Sequence, residues 1–143
     1  MPDHSFRCGD ILRCVSRYHA EQLNISGLSG MVMGTKPHHI HLWFETLNRS
    51  YWITFDILKK AEDPVLTPLQ SRIQTVCFAL NAEEWELEET PEIYRLLCYI
   101  DQATLEQLQD LREAFADSYV SLSLYPEGMG RMIAQTEWKK ITQ

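Results

Sequence analysis

The segment KPHHIHLWFE, from Lys36 to Glu45, places three histidines and a glutamate within ten residues. Neutral imidazole and carboxylate are the ligand types that hold zinc or ferrous iron. In an extended chain successive side chains point to opposite faces, so His39 and His41 share a face and could grip one ion. Glu45 falls on the same face two pleats further on, and His4, His19 or Glu21 could supply another ligand. The competing reading is a half-exposed strand surface whose imidazoles need no metal to explain them. That second reading is the one taken forward, with zinc or iron held by His39, His41 and Glu45 as its alternative.

The arrangement His39-x-His41-x-x-x-Glu45 resembles the first metal motif of the cupin family, in which an HxH pair and a glutamate on a β-barrel hold a divalent metal. Gly34 would stand near that motif's upstream glycine. The resemblance implies a second motif, Pro-x-Gly followed by a histidine. PEGMGR offers Pro126 and Gly128 but sets Arg131 at the ligand position. A guanidinium stays protonated and cannot coordinate a metal. Gly34 is one residue too close, the glycine after the glutamate is missing, and a jelly roll requires about eight strands. The family is not assigned.

Other chemistry is sparse. Cys14 and His19 could form a thiol–imidazole pair, but no third group to orient the imidazole can be named. No nucleophile elbow, phosphate loop or dinucleotide fingerprint is present. GLSGMVMG is glycine-rich yet lacks the lysine and helix start of a phosphate cradle, and reads as a β-turn.

The elements that would position these residues divide into two halves of different period. Between residues 6 and 63, GDILRCVS, GLSGMVMG, HHIHLWFE and YWITFDIL alternate or run apolar between turn residues, as short strands do. In HHIHLWFE, Ile40, Leu42 and Phe44 share one face, and His39, His41, Trp43 and Glu45 the other. Asn48 is the expected left-handed residue of the turn that follows. The order of these segments resembles a small SH3-like β-barrel, or a strongly curved antiparallel sheet, on pattern alone.

From residue 64 to 143 the spacing predicts a mainly helical half. Thr67, Pro68 and Gln70 form a capping-box start, followed by Leu69, Ile73, Val76, Cys77 and Leu80 on one face. Thr90-Pro91-Glu92 repeats the device ahead of Ile93, Leu96, Leu97 and Ile100. Thr104 and Gln107 precede a third stripe of Leu105, Leu108, Leu111 and Phe115. YVSLSLY and RMIAQTEWKK then read as a C-terminal β-hairpin. The expected fold is therefore α+β, one compact domain of a barrel-like half, three helices and a hairpin.

Composition limits the function. The 143 residues carry 20 acidic against 13 basic side chains, net −7. Duplex binding draws on clustered Lys and Arg, and the longest basic runs are doublets, so no direct nucleic-acid partner is expected. No stretch approaches the ~18 apolar residues of a membrane span, and the first fifteen residues lack the pattern of a secretory signal. Cys8, Cys14, Cys77 and Cys98 have neither knuckle nor redox spacing, which fits a reducing cytoplasm.

The expectation is a small acidic cytoplasmic protein, with no enzymatic role assigned, that binds a protein partner. Its contact residues would be Trp43, Tyr51 and Trp52 on the aromatic hairpin, since exposed Trp and Tyr anchor interfaces. Glu84, Glu86 and Glu88, in the glutamate-rich run AEEWELEETPE, would steer a basic partner. A second copy of the chain is also open as a partner. A further alternative is an acidic inhibitor of a nucleic-acid-binding protein.

Overall fold

A computed structural model describes residues 6–15, 28–54, 57–101, 105–114, 119–126, 128 and 130–140. The chain falls into two compact units, Met1–Gln74 and Thr75–Gln143.

The first unit is built on a five-stranded antiparallel sheet. Its strands are β1 (Ile11–Cys14), β2 (Ser29–Thr35), β3 (His39–Phe44), β4 (Arg49–Thr54) and β5 (Leu58–Lys60), in spatial order β4-β3-β2-β1-β5. One face carries Leu12, Cys14, Val32, Ile40, Leu42, Phe44, Ile53 and Leu58, all buried. The alternation of β3 and β4 sets this face, because a one-residue slip would expose the whole apolar set. Gly30 on β2 lies close against β3: a Cβ there would come within 2.9 Å of the Trp43 carbonyl oxygen. The β3–β4 connection is a 3-10 turn, Glu45–Leu47, closed by Asn48 at φ 50°, the left-handed residue the sequence led us to expect.

Helix α1 (Pro68–Leu80) starts with the anticipated capping box. The Gln70 amide donates to Thr67 Oγ1 at 3.1 Å, and the Thr67 amide donates to Gln70 Oε1 at 3.0 Å. Ile73, Val76, Cys77 and Leu80 are buried. Asn81, at φ 54°, ends the helix in the left-handed conformation that commonly follows a last turn.

The second unit is a four-stranded antiparallel sheet of β6 (Glu84–Glu89), β7 (Ile93–Ile100), β8 (Tyr119–Pro126) and β9 (Met132–Lys139), ordered β6-β7-β9-β8. Helix α2 (Leu105–Ala114) lies between β7 and β8 in sequence. Trp85, Leu96, Cys98, Ile100, Ala134, Thr136 and Trp138 are buried on one face of the sheet.

The expected α+β fold is corrected on two points. The first sheet does not close into an SH3-like barrel: β4 and β5 are its open edges among the described residues. The C-terminal half is not mainly helical, because Ile93–Ile100 is a strand and two helices, not three, are present among the described residues. The molecule is mostly β. The expected hairpin of β8 and β9 does form, as half of the second sheet.

The misread helix has a physical cause. Thr90 Oγ1 accepts from the Ile93 amide at 3.0 Å, and Thr90 N–H donates to the Ile93 carbonyl at 3.0 Å. A threonine hydroxyl gathering the next free amides is common to helix caps and to tight turns, and here it shapes the β6–β7 turn. Strand β7 carries apolar residues on both faces, with Leu96, Cys98 and Ile100 buried on one and Ile93, Leu97 and Tyr99 half-buried on the other, and this mimics helical spacing. The Thr104 part of the third capping box, and Phe115, lie outside the described residues.

Candidate functional site

Strand β3 ends at Phe44, and Glu45 turns into the 3-10 segment. Glu45 therefore does not continue the histidine face of the strand. Its Oε1 accepts a hydrogen bond from Thr67 Oγ1 at 2.6 Å, tying the turn to the start of α1. His39 is exposed and His41 is half-buried on the shared face. No group of three His, Cys, Asp or Glu side chains converges among the described residues. His4, His19 and Glu21, the other ligands considered, lie outside them.

What gathers around His41 is an aromatic and cationic cluster. In the β3–β4 register His41 faces Trp52, and Trp43 faces Ser50. The imidazole stacks on the indole with centroids 4.5 Å apart and planes at 15°. His41 Nε2 and Ser50 Oγ are 2.8 Å apart, a hydrogen bond that orients the ring. The β2–β3 connection turns at Pro37 and His38, with the Lys36 amide donating to the His39 carbonyl at 2.8 Å. That turn brings Lys36 Nζ to 4.2 Å from the Trp52 ring, within cation–π range.

Alternation sets Tyr51 apart from Trp43 and Trp52, which share a sheet face, and burial separates those two. Trp52 is 43% exposed on β4, while Trp43 is 8% exposed and belongs to the buried set. Tyr51 points to the opposite face, half-buried, with its ring 6.1 Å from Phe44. Trp52 is thus the aromatic available for contact, and it stands on an edge strand with no described strand paired to its outer side.

Glu84, Glu86 and Glu88 are exposed on β6, which is also an edge strand. Their cross-strand partners are Tyr99, Leu97 and Arg95. Arg95 bridges Glu88 and Glu137, each at 3.0 Å, and these carboxylates, Glu137 first, raise its pKa above the ordinary arginine value. Arg131, at the position of the absent second cupin ligand, is 3.4 Å from Glu84 and 3.7 Å from Glu83. Glu86 forms no ion pair among the described residues. The acidic run is therefore partly neutralised, and its charges also guard an open edge against strand pairing.

Cys14 is buried, and desolvation pushes its thiol up to about 11. A nucleophilic thiolate requires the reverse shift. Lys36 and Ser50 were missed by reading the sequence, because only the hairpin register brings them to Trp52 and His41.

No protein-family model matches the chain, and no curated protein or solved structure shows detectable similarity to it.

Proposed function

We propose that this protein is a protein-interaction module whose contact surface is the β3–β4 face around Trp52. The observation that carries this reading is an exposed indole held in place by His41 and Lys36 on an open edge strand. Pre-organised aromatics lose little entropy on binding and are the residues that dominate interface energetics. An open strand edge also offers backbone donors and acceptors to an extended segment of a partner, which adds a strand to the sheet. Glu84, Glu86 and Glu88 give the chain an acidic edge that would steer a basic partner. The described cysteines form no disulfide, which supports a reducing compartment such as the cytoplasm. No helix among the described residues is long and apolar enough to cross a membrane.

The test is affinity capture from the native cell, followed by reconstitution with the purified partner. Trp52→Ala should weaken the reconstituted pair at least tenfold, the scale of a central aromatic anchor, while the far-ultraviolet spectrum stays unchanged. A pair whose affinity is the same with Trp52→Ala would remove this face as the interface.

A further inference from the structure

Arg13 and Lys59 are register partners across β1 and β5. Directly opposed residues project from the same face, and like charges so placed destabilise a sheet. Neither side chain forms an ion pair among the described residues. Lys60, one residue along, projects to the opposite side and reaches Asp10 Oδ2 at 3.9 Å.

The opposed cations line a groove of about 990 Å³, bounded by β1, the start of β2 and the segment from Ala61 to Thr67. This volume lies at the upper end of the range for small-ligand sites. The groove also has an apolar side. Val15 is 53% exposed and Val65 is 96% exposed, and Leu66 lies beside them on the lining. Two carboxylates share the lining: Glu45 is engaged by Thr67, and Glu62 is outside ion-pair reach of both cations. Arg13 and Lys59 are both exposed, so solvent screens much of their repulsion in the protein alone. A ligand that supplies a negative group and an apolar body would relieve the repulsion that remains and cover the exposed valines.

We propose that this groove binds a small amphipathic anion, its carboxylate or phosphate held between Arg13 and Lys59 and its apolar body along Val15, Val65 and Leu66. The site uses none of the residues of the Trp52 face and stands independently of the protein-contact reading. Arg13 contributes a planar, forked donor set suited to either oxyanion, and Lys59 a mobile point charge.

The experiment is calorimetric titration of the full chain, at low ionic strength, with decanoate below its micellar range, hexyl phosphate, decanol and inorganic phosphate. Decanoate or hexyl phosphate should bind, and a parallel titration with heptanoate, whose six-carbon tail matches that of hexyl phosphate, distinguishes a carboxylate from a phosphate source. Decanol and inorganic phosphate, each carrying half of the chemistry, should bind at least tenfold more weakly. Arg13→Gln and Lys59→Gln should each weaken the amphipathic probes about tenfold, the scale of a lost charge-assisted hydrogen bond. Lys59→Glu should abolish binding while raising the melting temperature of the free protein, because it turns the repulsive pair into an attractive one. Absence of binding by both amphipathic probes, equal binding by inorganic phosphate, or binding unaffected by all three variants would overturn the proposal.

Discussion

The imidazole of His41 lies flat against the indole of Trp52, centroids 4.5 Å apart, because the β3–β4 register sets the two residues directly opposite. The neighbouring pair in the same register, Trp43 and Ser50, places its indole out of solvent. Two tryptophans of one hairpin therefore have opposite roles. Trp43, Trp85 and Trp138 are each under a tenth exposed, and the chain has four tryptophans in all. Trp52→Phe should consequently remove most of the fluorescence that acrylamide quenches. Trp52→Ala should cost about 1 kcal/mol or less, and Trp43→Ala ~3–5 kcal/mol, measured by urea unfolding. Equal costs would show that the two indoles do not differ in burial.

Thr136 is buried on the inner face of the second sheet, and its hydroxyl has no hydrogen-bond partner among the described residues. Replacing an unsatisfied buried polar group by an apolar one of similar shape relieves a desolvation penalty. Thr136→Val should stabilise the chain by about 1 kcal/mol. A denaturation midpoint that falls in this variant would mean that the hydroxyl is satisfied in solution.

Gly30 tolerates no side chain for steric reasons. An added Cβ would sit 2.8 Å from Leu42 Cγ and 2.9 Å from the Trp43 carbonyl oxygen. The backbone oxygen cannot move without breaking the β2–β3 ladder, so Gly30→Ala should destabilise by ~1–3 kcal/mol, the usual range for overpacking. Amide exchange localised to β2 and β3 would confirm where the strain falls. Uniform exchange with unchanged stability would contradict it.

Thr67 closes the capping box and also donates to Glu45. Thr67→Ala should cost ~1 kcal/mol from the cap. Thr67→Ser, which keeps the hydroxyl, should restore most of it. Failure of serine to rescue would place the loss in the methyl group's packing.

How much of this could be read beforehand differs between the two units. In the first, strict alternation in β3, the Asn48 turn and the Thr67–Gln70 box were visible because each rests on interactions within a few residues. That the sheet stays open was not visible, since whether β4 meets β5 depends on the curvature of the whole sheet. In the second unit Ile93, Leu96, Leu97 and Ile100 satisfied a helical spacing and an interior strand alike. What decides between them is pairing with Glu84–Glu89 and Met132–Lys139, which no local pattern reveals. The site was half legible for the same reason. Trp52 could be named, but it shares a sheet face with Trp43, and only the packing of the folded chain buries one and exposes the other. The Arg13–Lys59 opposition likewise joins residues more than forty positions apart.

Cys14 provides the pH dependence. Its thiol ionises near 9.0 in a solvated chain, and burial on the inner face of the first sheet pushes this up to about 11. Between those values the unfolded state has released the proton and the folded state has kept it. The unfolded state then binds fewer protons, so stability falls as pH rises through that window, by at most ~1.4 kcal/mol per pH unit from this group. Below pH 9.0 the thiol is protonated in both states and contributes no slope. Tyrosine and lysine side chains also titrate in this range, so the measurement is the difference between the wild-type chain and Cys14→Ala. The alanine variant loses packing at every pH but has no thiol to ionise. Its deficit relative to wild type should therefore shrink as the pH is raised from below 9 to about 11, and the native thiol should resist alkylation until the chain is unfolded. A deficit constant across the window, with rapid alkylation of the native protein, would place an accessible thiolate at Cys14 and reopen a nucleophilic role for it.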